Sequence, residues 1–284
     1  MILGVHCSIR NGLPSAIDEA VSKKCNALQI FTHNPRGWRY RQISTGEIHE
    51  FRSKVKENNI VSVIAHSPYL PNLCTSNPVL YKKSVDTLIT DLNTCNAIGA
   101  HFLVIHPGSY SENSTREHGL MQLISAVNNA LEDPYLNTKD TGTVLLIENV
   151  AGGGRRIGEK LTELKYVYDN IKLKERAGFC LDTCHIYAAG YDIKTSAGWR
   201  FTVKEIEDTI GFINVRMWHI NDSKSVLGAH LDRHEHIGKG MIGLQGIKNV
   251  VTHTILGKLP LILETPKDPP GSDLLNLERV RKVS

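Results

Sequence analysis

The feature that most limits what this chain can fold into is a repeat. Eight short apolar runs, at residues 2–7, 27–31, 61–65, 102–105, 144–147, 178–181, 215–218 and 261–263, alternate with longer stretches of helical character. The runs are rich in Val, Ile and Leu, as parallel strands covered on both faces must be. In the intervening segments 13–24 and 45–58, Ile17, Ala20 and Val21, then Ile48, Phe51 and Val55, fall at helical spacing. Asn77-Pro78 reads as an N-cap followed by proline at the first helical position, opening a helix that runs to about residue 98. Segments 114–131, 159–168, 203–212 and 246–256 continue the series. A last helix at 272–281 has Ser272 as its cap. The alternation predicts an α/β fold: a single (β/α)8 TIM barrel spanning residues 1–284, with a doubly wound sheet as the other arrangement it allows. No Gly-, Ser- or Pro-rich linker divides the chain.

The residues at the strand ends carry a second pattern. His66 follows the third run, His106 the fourth, Glu148 the fifth, Asp182 the sixth, His219 the seventh and Glu264 the eighth. In a barrel all six meet at the C-terminal mouth, where such folds keep their active sites. One such residue is ordinary, but six in succession have no stability role, since stability favours apolar side chains or caps there. His185 stands one helical turn after Asp182, and Asp232 and His234 lie in the loop after the seventh strand. Imidazole and ionised carboxylate both suit zinc. Five histidines, two aspartates and two glutamates exceed the three or four ligands of one ion and are comfortable for three. Clustered divalent ions lower the pKa of a bound water and clamp the oxygens of a phosphoryl group undergoing displacement.

Composition narrows the setting. The net charge of +4 permits an anionic partner without requiring one. The six cysteines are scattered without a CxxC pair, and the N-terminus lacks a charged-then-apolar leader. These features predict an intracellular, cytoplasmic chain with reduced, buried thiols. No apolar run is long enough to span a membrane. Gly238, Gly240 and Gly243 formally match a dinucleotide fingerprint but do not follow directly from a strand, so no nucleotide cofactor is expected.

At this point the motifs resemble a family. FCLDTCHIYAAGYD (179–192), HINDSK (219–224) and DRHEHIGKGMIG (232–243), with HSPYL (66–70) and IEN (147–149), are similar to the endonuclease IV family of apurinic/apyrimidinic endonucleases, over essentially the whole chain. The resemblance implies a zinc-dependent DNA-repair hydrolase. It would cut the phosphodiester 5′ to an abasic site in double-stranded DNA by a metal-activated water, leaving a 3′-hydroxyl and a 5′-deoxyribose phosphate. It also implies 3′-end cleaning, a monomer, and three Zn2+ ions, with Mn2+ able to replace one or more. His66 and His106 would hold one ion, with Glu148 bridging to a second completed by Asp182, His219 and Glu264. His185, Asp232 and His234 would hold the third. Glu148 and Glu264 are the catalytic candidates for orienting or deprotonating the water. His236 and His6 read as outer partners rather than ligands.

The loop HNPRGWRYRQ (33–42) mixes Arg36, Arg39 and Arg41 with Trp38 and Tyr40, a composition suited to clamping phosphates and stacking bases. By resemblance Arg36, Tyr69 and Leu70 are the DNA-binding residues inserted at the lesion. The chain departs from the family pattern at Arg155 and Arg156, where small or polar residues are commoner, at His230, often Arg, and at Asn11-Gly12, often a double glycine. Two other functions fit the same pattern: a metal-dependent sugar isomerase or epimerase on the same barrel, with no use for a third ion, and a non-catalytic binder of abasic DNA.

Overall fold

The structure is a computed structural model that describes residues 1–134, 136 and 142–284. Eight parallel strands close into a barrel: β1 (Leu3–His6), β2 (Ala27–Phe31), β3 (Ser62–His66), β4 (Phe102–Ile105), β5 (Val144–Glu148), β6 (Ala177–Asp182), β7 (Val215–His219) and β8 (Leu261–Leu263). Each pairs with the next, and β8 returns to β1 with Gly4 opposite Ile262. The doubly wound alternative is excluded by that closure. Helices α1 (Leu13–Ser22), α2 (Thr45–Glu57), α3 (Pro78–Ile98), α4 (Arg116–Leu131) and α5 (Leu161–Asp169) follow the first five strands. Then come α6 (Thr183–Ala188) and α7 (Ser196–Thr209) after β6, α8 (Gly243–Val251) after β7, and α9 (Ser272–Val283) after β8. Among the described residues no helix is long and apolar enough to cross a membrane.

Local chemistry sets the helix ends. Asn77 accepts from the amides of Val79 and Leu80 at the start of α3, and Gly99 ends it at φ 77°. Thr115 caps α4 by accepting from the His118 amide. The expected Ser272 cap is not formed. Gly271 holds the cap position of α9, and the Ser272 hydroxyl donates to the Pro269 carbonyl at 2.6 Å instead. Helix α7 begins at Ser196, seven residues before expected, because Thr195 accepts from the Gly198 amide. Helix α8 begins at Gly243 rather than 246. The Asp222 carboxylate, from the start of the same connection after β7, accepts from the amides of Ile242 and Gly243 at 3.0 and 3.2 Å, and an anion there is favoured by the helix dipole.

Two apolar layers hold the sheet. The outer one packs the helices onto the strands around Phe51, Phe179 and Trp218. The inner one fills the barrel with Ala27, Ile64, Val104, Leu146, Cys180, Met217 and Ile262, all fully buried and one from each of β2 to β8. Fully burying a side chain of this size contributes about 1.5–3 kcal/mol. On β1 the corresponding position is Gly4, where an added Cβ would collide with the Ala27 carbonyl. This layer is the floor of the mouth. Side chains alternate along a strand, so the residue two places further on points the same way.

Candidate metal centre

Two residues beyond the floor on β2 to β8 stand Gln29, His66, His106, Glu148, Asp182, His219 and Glu264. The alternation that packs the floor therefore aims all seven into the mouth. Glu148 is the hub. Its Oε2 lies 3.1 Å from His66 Nε2 and 3.1 Å from His106 Nε2. Its Oε1 lies 2.9 Å from His219 Nδ1 and 3.2 Å from His185 Nδ1. Around His219 Nδ1 stand Glu264 Oε2 at 3.5 Å and Asp182 Oδ2 at 4.0 Å.

A third group forms beside these. The Asp182 side chain caps α6 by accepting from the His185 amide at 3.0 Å, which fixes His185 one turn into the helix. Asp232 and His234 arrive from the loop after β7, His234 on a two-stranded antiparallel ribbon, Asp222–Ser223 with His234–Glu235. Asp232 lies 3.2 Å from His185 Nε2 and 3.3 Å from His234 Nε2. Three sets thus have ligating atoms within 4.8 Å of one another: His66, His106 and Glu148; Glu148, Asp182, His219 and Glu264; and His185, Asp232 and His234. The fold thus brings the nine expected side chains together in one mouth.

Outer hydrogen bonds set the imidazole tautomers. Carbonyl oxygens only accept, so a ring nitrogen facing one carries the hydrogen. His66 Nδ1 donates to the Ser67 carbonyl at 2.6 Å and His234 Nδ1 to the Glu264 carbonyl at 3.1 Å. His185 Nδ1 faces the Asn149 carbonyl at 3.0 Å. Each of these rings turns a lone pair on Nε2 toward the carboxylates. His219 is reversed: its Nε2 faces Gln29 Oε1 at 2.7 Å, so Nδ1 is the free nitrogen.

The set has the character of a cation site. Glu148 and Asp182 are fully buried, and among the described residues neither has a Lys or Arg partner. His234 Nε2 is buried and makes no hydrogen bond, a costly state unless something else takes its lone pair. Burial pushes the Glu148 carboxyl up, but His219 and His106 outweigh it and hold it well below the usual carboxylate range. Burial likewise opposes charge on Asp232, yet His185 and His234 bring it down to about 2. Ionised carboxylates and available lone pairs in one volume fit divalent zinc. Cys180 and Cys184 also fall within ligating reach. Burial pushes each thiol up to about 12. All six cysteines are free and buried.

Other expected residues sort by their contacts. His6 lies 3.7 Å from Glu264 Oε1 and 3.0 Å from Gln29 Nε2, outside the cluster. His236 bonds Asn276 and the Asp268 carbonyl, both at 3.0 Å, and faces no carboxylate of the cluster. Tyr69 is 67% exposed at the rim, Leu70 is half-buried, and Arg36 is exposed on the loop after β2. Two residues of that loop turn out to be engaged internally. Tyr40 donates to Asp91 at 2.7 Å and packs on His33, while Arg41 pairs with Glu47 through two bonds of 2.6 Å. Trp38 is half-buried under the Lys83 ammonium at 4.3 Å. The glycines at 238, 240 and 243 have a plain structural use: their amides donate to Asp222 at 2.9, 3.0 and 3.2 Å. That nest already holds an anion of its own.

Sequence reasoning missed Gln29 and Asn221. Gln29 holds His219 and donates to Glu264 Oε1 at 2.6 Å. Asn221 donates to Asp182 at 2.7 Å and accepts from the Glu264 amide at 2.9 Å. Gln29 left a signal: an amide in the middle of the apolar run ALQIF.

Comparison with known proteins follows the same lines. The family model described as "Xylose isomerase-like TIM barrel" matches residues 17–282. A protein of Methanoculleus marisnigri named "Probable endonuclease 4" is 38% identical over 100% of this chain and 99% of its own length. The solved structure of endonuclease IV from Thermus thermophilus is 33% identical, covers 100% of this chain and 98% of that one, and superposes with a TM-score of 0.86. A D-tagatose 3-epimerase-like protein, 18% identical with a TM-score of 0.72 over 98% of this chain and 96% of that one, shares the fold.

Proposed function

The chain belongs to the endonuclease IV family, and from that footing we propose that it is a zinc-dependent DNA-repair endonuclease that hydrolyses the phosphodiester 5′ to an abasic site. The products are a 3′-hydroxyl and a 5′-deoxyribose phosphate. The observation that carries the reading is the position of Glu148, each of whose oxygens is shared between two imidazoles within 3.2 Å. One carboxylate at the junction of two ligand sets is what a bridged pair of ions needs, and His185, Asp232 and His234 supply a third set.

His66, His106 and Glu148 would hold one zinc; Glu148, Asp182, His219 and Glu264 a second; His185, Asp232 and His234 a third. When bound, the ions supply a lowered pKa for water and neutralisation of the charge that builds on the phosphoryl oxygens. Manganese fits the same nitrogen and oxygen donors. The residues of the chain do the rest. Glu264, 18% exposed where Glu148 is fully buried, faces the open mouth and orients the attacking water. Glu148 accepts its proton or fixes its direction. Gln29 keeps His219 in one tautomer. Tyr69 and Leu70 enter the duplex at the gap left by the missing base, and Arg36 holds a phosphate beside them. Turning the sugar outward costs least where stacking is already lost.

The test is incision of a duplex carrying one abasic analogue that cannot undergo β-elimination. Cutting to a 3′-hydroxyl on the 5′ side supports the proposal, and intact DNA from zinc-loaded protein refutes it. An epimerase on this barrel would use one or two ions, so elemental analysis near three per chain separates the two.

A further inference from the structure

The strap after β5 carries a residue that the reaction as drawn does not use. Gly152, Gly153 and Gly154 take φ of 85°, 84° and 60°, a left-handed run that glycine adopts at little steric cost. It turns the chain back against the loop after β4. Arg156 pairs with Ser109 in an isolated antiparallel bridge, Tyr110 donates to the Arg155 carbonyl at 3.1 Å, and Ile157 donates to the Gly108 carbonyl at 3.0 Å. Main-chain bonds therefore fix residue 156 whatever its side chain.

That side chain lines a cavity of about 260 Å3 whose walls include His106, His185 and Asp232 from the ligand cluster and Tyr69 from the rim. A guanidinium has five N–H donors. The Arg156 side chain makes one bond, from Nη1 to the Gly152 carbonyl at 3.1 Å, and has no carboxylate partner among the described residues. Arg155 differs, with Glu112 at 3.9 Å. An exposed, unpaired guanidinium beside a site that handles phosphates matches phosphate oxygens in geometry as well as charge.

We propose that Arg156 holds a backbone phosphate of the DNA strand flanking the one that is cut, in the cavity it shares with Tyr69, His106 and Asp232. The inference rests on the proposed function. A strand whose scissile phosphate reaches the cluster while Tyr69 fills the gap runs past this cavity, so Arg156 fixes the register in which the strand is presented.

The experiment uses zinc-loaded protein and the nicked product duplex, which it cannot cut further, so that binding is read without incision. Arg156→Gln keeps a donor for the Gly152 carbonyl and removes the charge; Arg156→Lys keeps the charge. Arg156→Gln should bind about tenfold more weakly at low salt. Its slope of log affinity against log salt should fall by roughly one phosphate contact. Arg156→Lys should recover part of both. On the abasic substrate the loss should appear in KM rather than kcat. Replacing single phosphates by neutral methylphosphonates should identify one flanking position whose loss weakens the native protein but not Arg156→Gln. Unchanged affinity and salt slope in Arg156→Gln would overturn the proposal. So would equal methylphosphonate penalties in both proteins at every position, or a change in metal content instead of salt slope. A native protein that binds the nicked duplex but never incises the abasic one would sink the endonuclease reading, not this one.

Discussion

Replacing Glu148 by Gln keeps the shape of the side chain and removes its charge. The carboxylate makes four contacts with imidazoles, at 3.1, 3.1, 2.9 and 3.2 Å, two from each oxygen. An amide retains one oxygen and presents N–H groups where the other stood. One ligand set therefore keeps an acceptor and the other faces a donor. Losing the charge that Glu148 presents to two ligand sets removes electrostatic stabilisation on the order of 3–6 kcal/mol, the scale of one or two preorganised groups at a reacting centre. If that loss falls on the transition state, incision slows by roughly 10²–10⁴-fold. The assay is single-turnover cutting of a duplex with a non-eliminating abasic analogue, alongside anisotropy for binding and elemental analysis for metal. Binding should hold within a few-fold, because affinity for DNA rests mainly on phosphate contacts. Two results would refute the reasoning. One is incision within tenfold of the native protein at full metal content. The other is a folded variant in which binding and cutting fall together.

Three further outcomes are expected. In chelated protein, burial works against charging His185 and His219, but Asp182 and Asp232 beside the first, and Glu264 and Glu148 around the second, hold both well above the ordinary imidazole range. That stability is complete below about pH 6.5 and is lost as pH rises through the folded-state values. Metal-loaded protein needs neutral imidazoles, so its extra stability is lost as pH falls. Calorimetry at about pH 6 and about pH 9 should therefore show opposite trends with and without zinc, and parallel curves would contradict the assignment. Gln29→Met should cost about 10–100-fold in metal affinity or activity, because His219 and Glu264 lose the partner that orients them; unchanged zinc titrations would exclude that role. Tyr69→Ala, at a 67% exposed position, should leave thermal stability within about 0.5 kcal/mol while weakening abasic duplex more than intact duplex, and equal losses on the two would remove it from the lesion.

The strand runs and the acidic and imidazole residues that end them were legible for one reason. A parallel strand covered on both faces is an unbroken apolar word, and the first polar letter after it marks the mouth. His66, Glu148, Asp182 and His219 prove to be the last residues of their strands rather than the first beyond them. The period of two had already fixed which way they point. Helix α6 escaped because its six residues are too few for a hydrophobic period, and it is held by the Asp182 cap. The start of α7 escaped because only Thr202 and Ile206 are buried on it, while Phe201 is 76% exposed and misleads. Tyr40 and Arg41 looked available for DNA because composition cannot reveal Asp91 or Glu47, which occupy them from distant or neighbouring helices. Gln29 lay hidden inside a strand. Its value depends on His219, 190 positions away in the chain, and no local pattern carries that pairing.

Among the described residues, the packing of Ile64, Val104, Leu146, Met217 and Ile262 makes the mouth a blind well, its floor filled by side chains as a packed barrel interior is. Whatever enters or leaves the ring of carboxylates and imidazoles must cross the same rim that a duplex would cover. A seated substrate then acts as a stopper, and a chelator added after DNA should strip metal more slowly than one added before.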